Sequence, residues 1–486
     1  MKVRFVTLGC KLNFAESSAL GKELLKRGHQ RASLQEVPDV CVVNTCSVTD
    51  AADHKDRQTI HQLHRKYPNA IIIVTGCYAQ LQPEQIAQIE GVDYVLGQNE
   101  KYSITQLVDE LCDSLEDGVP PTGRPTGYSL EAQKIRVANI REVDEFHGVH
   151  SADDRTRCFI KVQDGCNYFC SYCTIPYARG KSRNPYIKEI VKDAQEAINQ
   201  GAKELIITGV NIGDFGRSTG ESFIELLRAL DSLEAEKTTQ SDLINDNIDN
   251  IALESTPSSA TQENENDLGE RREGDEAMRR EGDEAMRQEI GYRIRISSCE
   301  PNLLTDEIID FVAQSKHFAP HFHIPLQSGS NEVLKIMGRR YTRELFADRV
   351  RHIREVMPHA FIGVDCMVGV RGETEEYWED YLRFIKELDV SQLHVFTYSE
   401  RANTRMLEMD LYVVPKNERQ RRSKILHEVS EEKTKAFYAK HAGRKAVVLW
   451  ESKKEGEQMS GFTENYIKVY GPYDKTKINC IEVIRL

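Results

Sequence analysis

Short apolar runs alternate with amphipathic stretches from the first residues onward. "VRFVTLGC" leads into "ESSALGKELLKRG", whose apolar positions recur at helical spacing. Then come "DVCVVNTCSVT", a long polar helix pattern, "AIIIVTGCYAQ", the Pro-started "PEQIAQIE" and "VDYVLG". Strand-like runs separated by helices predict a parallel α/β sheet over residues 1–112. Three of the runs end in a cysteine: Cys10, Cys46 and Cys77. The strand carboxyl ends of an open parallel sheet share one edge, where ligands bind. Topology is therefore expected to bring these three thiols into one cluster.

Residues 113–152 hold Pro and Gly and few apolar runs, and read as a linker or hairpin. A second α/β series begins at "RCFIKVQDGC" and continues to "QLHVFTYS", with the strand–helix unit repeating about six times. That count predicts a partial (β/α)6 barrel over 153–415, with its chemistry at the strand carboxyl ends. One polar segment, 234–290, interrupts the rhythm between a helix and a strand. It ends in the tandem "EGDEAMRR", "EGDEAMRQ", a period too short for a solenoid unit, and reads as a low-complexity insertion. Residues 416–440 are charged and helix-prone, a connector. The last stretch, 441–486, is short and β-rich, a candidate small β-barrel.

Charge changes this picture in one respect. The net charge of −13 over 486 residues argues against a polyanion partner. The segment 234–290, however, holds 17 acidic against 6 basic residues, whereas 416–486 holds 16 basic against 10 acidic. A basic carboxyl-terminal piece on a near-neutral body keeps RNA in view. No apolar run is long enough to cross a bilayer, so no membrane partner is expected. The opening "MKVRFVTLGC" shows no signal-peptide pattern, and a cytoplasmic location is expected. Twelve cysteines in a reducing compartment call for metal binding, catalysis or core packing rather than disulfides.

The sharpest chemical signal is "DGCNYFCSYC", a CxxxCxxC spacing of Cys166, Cys170 and Cys173. Structural zinc usually closes at four ligands, commonly in two separated pairs, and no second pair lies at a suitable distance. A 4Fe-4S cubane normally takes four thiolates. Held by three, it leaves one iron open, as a catalytic site requires. Gln327 and Ser328, at the end of the strand pattern "HFHIPLQS", are candidate cofactor contacts.

With Tyr172 before its last cysteine, this motif resembles that of the radical S-adenosylmethionine superfamily. The resemblance implies that the open iron chelates the cofactor's methionine moiety and that the cluster's electron cleaves a C–S bond. It also implies cofactor contacts at Tyr172, at Gly209, Val210 and Asn211 of "TGVN", and at Arg295 and Ser297 of "RIRISSCEP". "LGCKLN", "VNTCSV" and "VTGCYAQ" resemble the amino-terminal domain of the methylthiotransferase branch. The resemblance implies an auxiliary 4Fe-4S cluster on Cys10, Cys46 and Cys77. "GFTENYIKVYG" is similar to the end of the RNA-binding TRAM barrel. Where the family reads Gly-Phe-Pro-Gly-Glu, this chain reads Gly369-Val370-Arg371-Gly372-Glu373, which loosens a turn.

Within that family, "LGCKLNFAES" and "CSYCTIPYARGKSRN" look most like the branch acting on tRNA threonylcarbamoyladenosine at position 37. The implied partners are tRNA, an electron donor and a sulfur source. Isopentenylated adenosine and a ribosomal-protein aspartate are the alternative substrates, and an iron–sulfur or zinc scaffold is the non-enzyme alternative. Cys41, Cys112, Cys158, Cys299, Cys366 and Cys480 read as packing residues. Arg179 and Arg183 either meet cofactor or tRNA phosphate or pair with surface acids. His321 and His323 are either pocket-facing or hydrogen-bonded in the core.

Overall fold

The amino-terminal strands pair in parallel wherever the sequence is apolar on both faces. A computed structural model describes residues 1–116, 134–151, 156–234 and 291–486. β1 (Lys2–Thr7), β2 (Gln30–Arg31), β3 (Val40–Thr45), β4 (Ile71–Gly76), β5 (Tyr94–Leu96) and β6 (Ile135–Arg136) form one sheet in the order β2-β1-β3-β4-β5-β6. Every residue of β3 and β4 is buried, as a parallel strand covered on both faces must be. Helix α1 (Lys11–Lys26) follows β1, and α2 (Asp50–Lys66) follows β3, capped by Thr49. The segment expected to be a linker supplies β6, which pairs in parallel with β5. Helix α1 starts at Lys11, five residues ahead of its apolar pattern. The polar side chains of Asn13 and Glu16 in its first turns are buried against partners distant in sequence, which hides the periodicity.

Six further parallel strands build the open barrel: β7 (Arg157–Lys161), β8 (Glu204–Thr208), β9 (Arg293–Ile296), β10 (His321–Gln327), β11 (Phe361–Val368) and β12 (Gln392–Thr397). They pair as β7-β8-β9 and β10-β11-β12, joined by the bridges Ile294↔Phe318 and Ser298↔His323. Alternation divides each strand between two environments. Cys158, Ile160, Leu205, Ile207, Ile294 and Ile296 pack outward in the largest apolar core. Arg157, Lys161, Glu204, Arg293, Arg295, His323 and Asp365 take the other face and line the lumen.

Two elements close what six strands leave open. Helix α1 lies against β7, with Ala15 and Ala19 packed on Phe159 and Ile206. Helix α3 (Lys416–His441), expected as a connector, also packs on β12. Its Leu426 and Val429 join the barrel core, and Ser430 hydrogen-bonds both backbone groups of Leu393.

The carboxyl-terminal strands are β13 (Lys445–Glu455), β14 (Gln458–Thr463), β15 (Lys468–Pro472) and β16 (Ile481–Arg485). They form an antiparallel sheet in the order β15-β14-β13-β16. Its outer strands do not pair, so the expected small barrel is a curled half-barrel. It seals the amino-terminal end of the large barrel. Arg293 donates to the Val447 and Phe462 carbonyls at 3.1 and 3.0 Å, and Arg295 to those of Glu464 and Thr463 at 3.1 and 3.3 Å. Glu204 accepts from both arginines. Burial alone would raise the Glu204 carboxyl, but Arg293, Arg295 and Arg157 outweigh it and hold the group well below the usual range.

The acidic insertion lies outside the described residues, apart from Glu234. Its flanks meet near the amino end of β9, where the Tyr292 hydroxyl donates to the Leu230 and Leu233 carbonyls at 3.2 and 2.7 Å.

Candidate functional site

Both sets of three cysteines sit at strand carboxyl ends, and the backbone around each is shaped to present sulfur. Cys10 is at the helix-capping position of α1, Cys46 follows β3 and Cys77 follows β4. Gly9 has φ +97°, and a Cβ there would lie 2.6 Å from Cys46 Cβ and 2.9 Å from its Sγ. Gly76, at φ +103°, leaves no room for a Cβ beside the Thr45 backbone. Only glycine meets both demands, left-handed backbone and close approach. The Cys46 amide donates to Asp56 at 3.0 Å, and Gln98 donates to Cys77 Sγ at 3.2 Å.

The second set lies in the loop after β7. Gly165 has φ +69°, and a Cβ there would overlap the Lys181 carbonyl. Phe169, between the first two cysteines, is left-handed at φ +50° without being glycine, a strained turn of the kind found at functional loops. Arg339 donates to Cys170 Sγ at 3.3 Å and pairs with Glu300.

Burial pushes the Cys46 and Cys173 thiols up to about 12 and Cys166 up to about 11, with neighbouring thiols adding to each shift. Stable thiolates at these positions need a bound cation or cluster. A single tetrahedral zinc with bonds near 2.3 Å would draw its sulfurs to about 3.8 Å apart. Among the described residues, the only three ligand atoms within 4.8 Å of one another belong to His323, Asp365 and His394. Each cysteine set supplies three thiols, the donor set of a cubane with one iron left open.

Charge around the first set fits the same group. Glu16 and Asp164 are buried among Lys101, Lys161, Arg179 and Arg183, with contacts of 2.6–3.3 Å. Two carboxylates facing four cations leave positive charge beside Cys77, whose thiol it favours in ionised form against the effect of burial. Arg179 and Arg183 thus pair with acids, but in the interior rather than on the surface.

Tyr172, Gly209–Asn211, Gln327 and Ser328 lie with the Cys166–Cys173 loop at the carboxyl edge of the barrel. Gln163 Oε1 accepts from the Val210 and Asn211 amides at 2.9 and 2.8 Å. The Asn211 side-chain amide is buried, and neither its oxygen nor its nitrogen makes a hydrogen bond of good geometry within the protein. The same holds for Asn302 Oδ1 and Asp214 Oδ2. Such orphaned polar atoms fit a polar ligand. Gln327 takes φ +66°, and Ser297 and Ser328 are buried. Arg295 does not join this group, because its guanidinium is committed to Glu204 and to the carboxyl-terminal sheet. His321 is buried, and its ring stacks on Phe361. His323 is hydrogen-bonded to Asp365 at 2.7 Å and to Ser298 at 3.0 Å.

Sequence reasoning missed Lys11, Glu16, Asp164, Arg339, Asp365 and His394. The alternation of "QLHVFT" and "FIGVDCMV" placed His394 and Asp365 on the lumen face, so that signal was present. Nothing local marks Glu16 or Arg339, whose partners are distant in sequence.

The barrel with a CxxxCxxC loop after its first strand defines a radical S-adenosylmethionine enzyme. Residues 160–385 match the Radical SAM superfamily, and residues 2–97 match Uncharacterized protein family UPF0004. The fold resembles the radical S-adenosylmethionine methyltransferase TsrM from Kitasatospora setae, with TM-score 0.50 and 16% identity over 81% of this chain and 72% of that one. The chain is 35% identical to the threonylcarbamoyladenosine tRNA methylthiotransferase MtaB of Bacillus subtilis, over 96% of this chain and 89% of that protein. It is 31% identical to the Aquifex aeolicus protein of that name, over 96% of both. A tRNA-2-methylthio-N(6)-dimethylallyladenosine synthase of Pelotomaculum thermopropionicum is 28% identical, over 95% of this chain and 88% of that protein. The chain belongs to the radical SAM methylthiotransferase family. Its cofactors are S-adenosylmethionine and 4Fe-4S clusters, two in number.

Proposed function

We propose that this enzyme converts tRNA N6-threonylcarbamoyladenosine, next to the anticodon, to its 2-methylthio derivative. The supporting observation is that two three-thiol sites open at one edge of a single fold, in a chain similar along its whole length to enzymes named for this substrate. In this reading Cys166, Cys170 and Cys173 hold the cluster that binds S-adenosylmethionine, and Cys10, Cys46 and Cys77 hold the auxiliary one. When bound, these groups supply one-electron cleavage of an unactivated C–H bond and a source of sulfur.

The chain's own residues prepare the site. Arg339 donates to the Cys170 sulfur and favours its ionised form. Asn211, Asn302 and Asp214, whose buried polar atoms are incompletely satisfied by the protein, would meet the cofactor's polar groups, with Tyr172 and Gly209–Asn211 lining its seat. Arg179 and Lys101 provide the positive field for the auxiliary thiolates. Helix α1 closes the side of the barrel, with Ala15 and Ala19 packed on Phe159 and Ile206. An electron donor and a sulfur source complete the reaction, and the compartment is the cytoplasm. Among the described residues no helix is long and apolar enough to cross a membrane.

Mass spectrometry of tRNA nucleosides from cells lacking the protein tests the reading. The 2-methylthio form of threonylcarbamoyladenosine should vanish; loss of the isopentenyl counterpart instead would refute the substrate. In the reconstituted enzyme, Cys170→Ala should abolish 5′-deoxyadenosine formation, whereas Cys46→Ala should keep it and yield no methylthiolated product.

A further inference from the structure

Among the described residues, one cation of the lumen has no ion-pair partner. Lys161, Lys101 and Arg179 pair with Glu16, Arg157 with Glu204 and Glu451, Arg293 and Arg295 with Glu204, and Arg339 with Glu300. Lys11 is different: among the described residues it makes neither an ion pair nor a hydrogen bond, and its side chain is exposed.

Helix geometry fixes where it points. Lys11, Ala15 and Ala19 are four residues apart and share one face of α1. Ala15 and Ala19 pack on Phe159 and Ile206, lumen-facing residues of β7 and β8. Lys11 heads that stripe, one turn nearer the Cys10 end. The charges its ammonium feels are those of Arg157, Arg295, Glu204 and Asp365, which belong to four strands of the barrel. A solvent-reachable side chain whose ammonium is surrounded by charges from four barrel strands stands in a chamber inside the barrel, not on the outer surface.

The chamber's other polar groups are hydrogen-bonding rather than apolar. Asp365 accepts from His323 at 2.7 Å and lies 3.5 Å from His394 Nδ1. The two imidazole rings meet edge to face at 4.8 Å. A divalent cation at this trio is disfavoured by the unpaired Lys11 and the arginines beneath it. The same excess of positive charge favours an anion.

We propose that Lys11 is the specificity residue that binds the carboxylate of the N6 substituent, with His394 lining the same subsite. This inference rests on the functional reading above. A threonylcarbamoyl group carries a carboxylate and a hydroxyl, whereas an isopentenyl group carries no polar atom. An ammonium without an ion-pair partner gains a charge-assisted contact from the first and nothing from the second.

The test uses the reconstituted full-length enzyme and two tRNA substrates, one with threonylcarbamoyladenosine and one with its threonine carboxylate converted to the amide. Wild type should prefer the acid by about 10- to 100-fold in kcat/KM, mainly through KM. Lys11→Gln should shrink that preference to within about threefold, and Lys11→Arg should keep most of it. Iron content of each variant reports on cluster assembly next to Cys10. A merely structural role would lower both substrates together and leave the acid-to-amide ratio unchanged. An unchanged ratio in Lys11→Gln, or no preference in wild type, overturns the proposal. A wild type active only on isopentenylated tRNA overturns the functional reading, and the Lys11 proposal with it.

Discussion

At the residue scale, glycine decides whether the auxiliary thiols can meet. Gly9 is both left-handed and within 2.6 Å, at its absent Cβ, of Cys46. Gly9→Ala is expected to strain the backbone by about 1–3 kcal/mol and to push Cys46 away from Cys10. Iron per reconstituted chain should then fall from about eight to about four, since each cubane carries four. Formation of 5′-deoxyadenosine should persist, because the Cys166 loop is untouched. Retention of both clusters would show that the close approach is dispensable. The glycines before Cys10 and Cys77 were visible in "LGC" and "TGC", but their role was not, because φ and contact distance are properties of the folded backbone. The turn with the family's proline missing shows the converse. Gly369 donates to Glu373 at 3.0 Å, Arg422 grips the same carboxylate at 2.6 Å, and Arg371 pairs with Glu400. Side chains hold a turn whose ring constraint has been lost.

At the scale of elements, α1 carries the contact between the amino-terminal sheet and the barrel. Its Glu16 is buried and bound by Lys101, Lys161 and Arg179. Glu16→Gln leaves those cations undercompensated and should cost about 3–5 kcal/mol, read as a lower denaturant midpoint. On the same helix, Glu23 pairs with Arg27 in solvent, and Glu23→Gln should cost at most about 0.5 kcal/mol. Equal losses would remove the distinction between interior and surface pairs. The strands of both sheets were legible because β3, β4 and the barrel strands are short apolar runs at regular intervals. The start of α1 was not. Its first turn is polar for reasons that lie on Arg179 and Thr45, far along the chain. The same blindness put Arg295 among the cofactor contacts, since a motif cannot say which way an arginine of a lumen strand points. It also hid the packing of α3, whose Leu426 and Val429 join the barrel core.

At the scale of the whole molecule, the barrel is stoppered at one end by the half-barrel and left open at the other, where the six cysteines lie. Glu204 organises the stopper. A carboxyl held below its unfolded value stabilises the fold fully above about pH 4.3, and that contribution drains away as pH falls further toward the folded value. Glu204→Gln should therefore destabilise the enzyme by about 3–5 kcal/mol near pH 7. The gap from wild type should narrow below about pH 4.3, as followed by melting at successive pH values. A gap independent of pH would mean that charge is not what Glu204 contributes. Arg293 and Arg295 hold Val447, Phe462, Thr463 and Glu464 by their carbonyl oxygens, while Arg157 pairs with Glu451 and lies over the Phe462 ring. The joint thus combines a grip on main-chain atoms with a few inward side chains, Glu451, Phe462, Tyr466 and Ile467. Side chains on the half-barrel's outward face lie outside that joint, so its exposed surface can change while its seat on the barrel is kept: the joint behaves as a fitting that fixes the base and leaves the face free.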